Sequence, residues 1–464
     1  MYRAISTLLV FASLSLAVLS QSKVHAQEDS IAFENVRVRT MQAGTGMTDG
    51  FVIVSGSIIQ EVGEGELPEE FEGRRIDGAG AVLIPGLADM HVHYYENDIG
   101  AAYLANSITL VRNLTGSIGA ARRDQAAFDG RTVAPRLKTS GPIIDSGPGF
   151  ANDFFIRVYN PDQAIGAVRA QARSGYDAIK LYEQLDAATF KAAVEEARRN
   201  GMRVYAHVPA SLTVGDLLAL KIDSLEHLDG YAEAMARDGF STDREYAWAE
   251  QWANVDREKF EDLARATVES GSWVVPTFAI TYGRIASADP DAYFARPEAR
   301  ILPSWAESWR KSAESYAADR LLFEPSLTEK IAFLSTLREV GANVLIGTDG
   351  PNPFLTPGYA IHDELAAFAR AGYSNEEILR IATVEAARFL DETGRTGTIE
   401  EGAPADLVLL PGDPVENLSY LREPLGVMVA GHWRERTRID EALERRAARL
   451  EAERELQARS SSDD

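Results

Sequence analysis

The sequence predicts an α/β protein: a (β/α)8 TIM-type barrel inserted into a small β-sandwich-like domain formed by both chain ends. Three observations carry this prediction. Between residues 84 and 348, eight strand-sized apolar runs alternate with helical patterns, as βα units around a parallel sheet do. Outside that span, both ends of the chain read as short strands punctuated by Gly and Pro. Eight alternations over about 270 residues also suit a closed barrel better than an open sheet.

In chain order, residues 1–26 stand apart from the fold. Arg3 precedes an apolar run over 8–19 that is short for a membrane span, and Val24-His25-Ala26 ends in a small-residue cleavage pattern. This predicts a signal peptide and export to a periplasm or the medium, without stable membrane association after its removal. An uncleaved anchor is the alternative. The chain has no cysteine, so it has no disulfides, and any metal is held by nitrogen and oxygen. A formal net charge of −23 argues against nucleic acid and anionic lipid as partners and says little about the small-molecule substrate expected below.

Residues 27–83 supply the first part of the β domain, with Phe51-Val52-Ile53-Val54 as one strand, and residues 397–436 supply the rest. The barrel takes residues 84–396. Its strands are predicted at 84–93, 109–113, 136–144, 178–182, 203–208, 224–228, 273–278 and 343–348. Helices separate them: Phe190, Ala193, Val194 and Ala197 repeat with helical spacing before Gly201. Ser374 with Glu377 forms a capping box. Residues 229–270 and 281–327 are long for barrel connections and rich in Trp, Tyr, Asp and Glu. Loops in that position build substrate pockets. Residues 437–464 read as a charged, Ala-rich helix with a disordered Ser-rich tail, the helix lying on the surface or at a subunit contact of a homo-oligomer.

Chemistry gathers at the predicted strand ends. His91 and His93 are two residues apart on a strand, so both side chains leave the same face. The fourth strand carries Lys180, the fifth ends at His207, the sixth at His227, and the eighth at Asp349. Singly, each has an ordinary reading: a surface lysine, core histidines, a helix-capping aspartate. Four of seven histidines at one barrel face favour a divalent-metal site instead. Arg112, ending the second strand, can grip a substrate carboxylate or make a barrel-closing ion pair. Tyr182 and Tyr231 are pocket candidates. His362 is either near the pocket or structural.

With Pro85-Gly86-Leu87-Ala88-Asp89-Met90-His91-Val92-His93, Ile179-Lys180-Leu181-Tyr182, His207, Glu226-His227, Gly347-Thr348-Asp349 and Gly402-Ala403-Pro404-Ala405-Asp406-Leu407-Val408-Leu409, the chain resembles the amidohydrolase superfamily. Within it, the likeness is to exported, binuclear, imidazolonepropionase-like and dipeptidase-like hydrolases. The resemblance implies two divalent metal ions, zinc first, with manganese, iron or cobalt also fitting. His91, His93 and Asp349 would hold one ion, and His207 and His227 the other. Lys180 would bridge them as N6-carboxylysine. Asp349 would serve as the proton acceptor for a bridging hydroxide, with His227 or Tyr182 near the oxyanion.

The implied reaction is cleavage of an amide C–N bond, in a dipeptide or an N-acyl amino acid. Hydrolysis of a cyclic amide, ester or lactone is the alternative. A catalytically silent barrel acting as a binding protein is the reading from another class. Val208-Pro209-Ala210-Ser211 after His207 and Leu228-Asp229-Gly230-Tyr231 after His227 depart from common relatives, so the resemblance does not carry over a substrate.

Overall fold

The computed structural model describes residues 30–116, 132–147, 154–241, 247–394 and 396–460; the expected signal peptide and the last four residues of the tail lie outside the described residues. The strands at the N-terminal end are β1 (Ser30–Arg39), β2 (Met47–Ser55), β3 (Ile58–Glu64), β4 (Arg74–Asp77) and β5 (Val82–Pro85). The middle of the chain contributes β6 (Leu87–Val92), β7 (Ile108–Asn113), β8 (Arg136–Thr139), β9 (Ile143–Asp145) and β10 (Phe155–Arg157). There follow β11 (Ala178–Leu181), β12 (Arg203–Ala206), β13 (Ser224–Glu226) and β14 (Trp273–Val275). At the far end come β15 (Leu407–Leu410), β16 (Gly426–Val429) and β17 (His432–Glu435).

The two chain ends share one sheet, in the order β17-β16-β15-β5-β1-β2-β3, with β4 beside β1. Its strands are hydrogen-bonded in one continuous order, and residues from strands far apart in that order share one core. β5 is the seam: it runs parallel to β1 and antiparallel to β15, with Leu83 opposite Leu409. Alternate residues from both ends pack on one face as a core containing Phe33, Val52, Leu83, Leu407, Met428 and Trp433. The Phe33 and Trp433 rings meet edge-on with centroids 5.1 Å apart.

The expected strand 84–93 divides at Gly86, so its first residues belong to the shared sheet. Pro85 has no N–H to continue a ladder. The Gly86 N–H then donates to Asp406 O at 2.9 Å, while that of Leu87 donates to Ser107 O at 2.9 Å. A Cβ on Gly86 would collide with the Thr109 side chain, so the handover needs glycine.

Beyond Gly86 the architecture is mixed α/β. The parallel strands form two ladders, β6-β7-β8 and β10-β9-β11-β12-β13-β14, and these ladders are not closed. The expected strand 136–144 is broken by Ser140-Gly141-Pro142, so β8 pairs with β7 while β9 pairs with β11 and β10. The expected strand 343–348 makes no ladder. It crosses by single contacts: Val344 bridges Val274, Gly350 bridges Val92, and Met90 N donates to Ile346 O at 2.8 Å. Side chains interrupt the pairing here. Asp89 takes the Thr348 N–H on Oδ1 at 3.0 Å and its hydroxyl on Oδ2 at 2.7 Å.

Gly347 allows this close crossing, since a Cβ there would sit 2.7 Å from both His91 Cβ and Val275 Cγ1. Gly347→Ala is therefore expected to lower stability by about 1–3 kcal/mol and to displace His91. Denaturant melts and metal content measured together check this: an unchanged midpoint would show that the crossing is slack.

The predicted helices lie where the periodicity places them. Ala187–Arg199 is capped by Asp186 and buries Phe190, Ala193, Val194 and Ala197. Ser374 and Glu377 close their capping box at Asn375–Arg380. The C-terminal helix Arg436–Ser460 buries Ile439, Leu443 and Leu450 against its own chain. Its buried Arg446 pairs with Glu96 and Asp98. Among the described residues, no helix is long and apolar enough to cross a membrane.

Candidate metal centre and active site

Parallel strands place their C-terminal ends along one edge, and the candidate residues follow those ends. His91 is near the end of β6 and His93 follows it; Lys180 is in β11; His207 and His227 directly follow β12 and β13. Four residues at this edge bend the backbone into the left-handed region: His227 (φ 64°), Leu228 (φ 60°), Thr277 (φ 48°) and Asp349 (φ 62°). Non-glycine residues rarely adopt it, and such strain collects at functional sites.

The four imidazoles turn the same way. His91 Nδ1 meets Glu226 Oε2 at 2.7 Å, and His93 Nδ1 meets Thr115 Oγ1. His207 Nδ1 lies 3.0 Å from Glu183 Oε1 and 2.9 Å from Asp229 Oδ2, and His227 Nδ1 is 2.8 Å from Thr277 Oγ1. With every Nδ1 engaged, every Nε2 faces inward. His91 Nε2 and His93 Nε2 converge on Asp349 Oδ1 at 3.1 and 2.7 Å, and His207 Nε2 and His227 Nε2 face one another at 3.0 Å. Asn352 Nδ2 donates to the other Asp349 oxygen at 2.9 Å.

Burial sets the charges. It opposes ionisation of Asp349, but His91 and His93 hold the carboxyl well below its usual range. Burial, reinforced by His207, pushes His227 well down. Burial also draws the Lys180 ammonium down to about 8, against the pull of Glu226 and Asp349. Lys180 Nζ is sealed from solvent with no hydrogen-bond partner.

These residues fit a divalent-metal site. Each imidazole offers one nitrogen inward while a carboxylate or hydroxyl fixes the other, the usual support of a ligating histidine. His91, His227 and Asp349 bring their ligand atoms within 4.8 Å of one another. The buried Lys180 amine among them loses its proton more readily than a free lysine does.

A cavity of about 1400 Å³ opens on this centre, with Tyr182, His207, His227 and Asp349 in its wall. The two long segments contribute Trp248, Trp252, Trp305 and Trp309. Tyr182 stands with its ring centroid 4.2 Å from that of His207.

Three other candidates lie elsewhere. Arg112 is buried beneath the site, bonded to Met90 O, Ser224 Oγ and Glu226, with its guanidinium over the Tyr205 ring. It is the ion-pairing residue, not a carboxylate grip. Tyr231 is fully buried and pairs its hydroxyl with Thr267 Oγ1 at 3.0 Å. His362 bonds Asn106 Oδ1 at 2.9 Å, and burial presses its pKa to about 3, so its place is structural. Sequence reasoning gave no role to Glu226, although it adjoins His227 in the quoted motif, and it missed Arg284 and Lys330, which line the cavity without any motif to mark them.

The model of the amidohydrolase family matches residues 82–434. The chain belongs to the amidohydrolase family. This amidohydrolase is 23% identical to the ochratoxinase of Aspergillus niger over 450 residues, covering 83% of the chain and 82% of that protein. Among solved structures, a bottromycin amidohydrolase matches with a TM-score of 0.70 and 21% identity, covering 91% of each chain. A Xaa-Pro dipeptidase with methionine bound in its active site matches with a TM-score of 0.63 and 20% identity, covering 88% of this chain and all of that one. At such identities these structures speak for a shared fold. Family membership makes the protein a hydrolase acting on carbon–nitrogen bonds of small molecules, in a family that is generally metal-dependent.

Proposed function

We propose that this amidohydrolase is an exported hydrolase of dipeptides or N-acyl amino acids that works with two divalent ions, zinc in the first instance. The observation that carries the reading is the convergence of four inward Nε2 atoms and the Asp349 carboxylate around an unpartnered Lys180 amine. His91, His93 and Asp349 would hold one ion, and His207 and His227 the other. Lys180 would join them as its carbamate: carbon dioxide would bond to the neutral amine with loss of one proton, giving an anionic ligand for the two ions. When bound, the ions supply Lewis-acid polarisation of the scissile carbonyl and a water that ionises near neutral pH.

The chain's own groups do the rest. Asp349, oriented by Asn352, accepts the proton of the attacking water and returns it to the leaving nitrogen. Tyr182, on the cavity wall beside His207, and His227 stand where charge develops on the carbonyl oxygen. The reading includes closure of the eight strands into a barrel, with the segment 343–348 completing the circle; the bridges at Val274 and Val92 support it. The dipeptide assignment draws on likeness to a Xaa-Pro dipeptidase, and export on residues 1–26.

The test is a screen of the metal-loaded protein against dipeptides, N-acyl amino acids and lactones. Turnover of lactones alone would replace the assignment, and no turnover of any compound would return the protein to a binding role. A second expectation concerns metal: the wild type should carry about two ions per chain, and Lys180→Ala should lose most of one. Elemental analysis finding a single ion in the wild type would sink the bridging role.

A further inference from the structure

The protein is strongly acidic, yet its cavity wall holds two cations that make no ion pair among the described residues, Arg284 and Lys330. Arg284 lies on the helix Phe278–Ala286, which begins directly after Thr277, the residue that orients His227. Its guanidinium carbon lies 4.0 Å from the Tyr316 ring centroid. Its Nη1 is shut off from solvent and has no hydrogen-bond partner. Lys330, on the helix Phe323–Glu339, is buried with its ammonium 4.7 Å from the Trp248 ring centroid.

The cavity's carboxylates are differently placed. Asp349, Glu183 and Asp229 are taken up by imidazoles, and Glu233 by Gln251. Arg284 bonds the Tyr316 side chain and feels Asp349, and Lys330 feels Asp229 and Glu364, but no carboxylate pairs with either cation among the described residues, and Arg284 Nη1 keeps no acceptor. A guanidinium set against a ring, partly desolvated and with one nitrogen short of an acceptor is a receptor for a planar anion. Around it the wall is aromatic, with Trp248, Trp252, Trp305 and Trp309.

We propose that Arg284 is a specificity-determining residue of this site, receiving a carboxylate of the substrate while the substrate's bulky apolar part packs against the tryptophans, with Lys330 adding positive potential. The substrate class is thus an amide bearing a free carboxylate and an aromatic or large aliphatic group. This rests on the hydrolase reading above and deepens it.

The experiment has two arms. In the binding arm, quenching of tryptophan fluorescence in the full metal-loaded protein is titrated with 3-phenylpropionate and with 3-phenylpropanol, which share a body and differ in the carboxylate. Arg284→Met should weaken binding of the acid roughly 10- to 100-fold and leave the alcohol unchanged. Arg284→Lys, which keeps the charge and loses the fork, should fall between. In the turnover arm, N-acetylphenylalanine is compared with N-acetylphenylalaninamide. The wild type should prefer the acid in kcat/KM, and Arg284→Met should erase the preference through the acid alone.

Equal loss of both probes in Arg284→Met, or no loss of either, would overturn the proposal. Equal hydrolysis of both amides by the wild type would also overturn it and leave the hydrolase reading standing. Arg284-dependent binding of 3-phenylpropionate without hydrolysis of either amide would uphold the anion site and reject the reaction.

Discussion

Asp349→Asn is expected to stop turnover while the protein stays folded. The asparagine keeps the size of the side chain and leaves an oxygen between His91 and His93, where the carboxylate now sits at 3.1 and 2.7 Å. It cannot take a proton from water. Proton transfer by a positioned side chain contributes about 10²- to 10⁴-fold in rate, and kcat should fall by that order. Thermal melts and metal content, measured beside kcat, separate lost chemistry from a lost site. Undiminished turnover in a folded variant would remove Asp349 from the mechanism.

Glu226→Gln should produce the largest loss of stability. Glu226 is fully buried and shared three ways: Arg112 Nη2 donates to it at 3.1 Å, Ser224 Oγ at 2.5 Å, and His91 Nδ1 lies at 2.7 Å. Its charge persists against burial because Arg112, Lys180 and His91 hold the carboxyl well below its usual range. Removing one partner of a buried ion pair costs about 3–5 kcal/mol, because the other charge stays behind without compensation. The double replacement Arg112→Met with Glu226→Leu removes both charges and should recover much of that loss. It should not restore metal affinity, which falls about 10- to 100-fold when a ligating histidine loses its outer support. Denaturant melts with and without chelator distinguish the two effects. Equal stability of the single and double variants would show that the ion pair is not what holds this region.

The residues of the candidate site were legible because a strand end advertises itself: an apolar run stops, and the next polar side chain has a known direction. That logic reaches His91, His93, Lys180, His207, His227 and Asp349 without any knowledge of packing. It fails where a partner is remote in sequence. Nothing near Arg112 announces that its carboxylate comes from β13, and nothing near His362 announces Asn106. Tyr231 looked like a pocket residue beside His227, but it packs inward with its ring centroid 5.3 Å from that of Phe333. Arg284 stayed hidden for the opposite reason, since a helical arginine in a long connection resembles any surface arginine. Strand outlines were also limited by local chemistry. Pro85-Gly86 divides what hydrophobicity alone joins, and the Asp89 side chain takes hydrogen bonds that would otherwise belong to a ladder.

The seam strand β5 has a consequence for how the molecule comes into being. One of its edges is filled by β1, which is synthesised before it; the other waits for β15, made more than 300 residues later. Through most of synthesis β5 therefore carries a naked edge, and the two histidines that continue from it through β6 hang from an unfinished sheet. Contacts this distant along the chain are slow to form and leave exposed edges open to wrong pairings in the meantime. Completion of the first half of the metal centre is thus timed by the last strands to be made, and a chain truncated before Leu407 would contain every proposed ligand while lacking the support from which two of them extend.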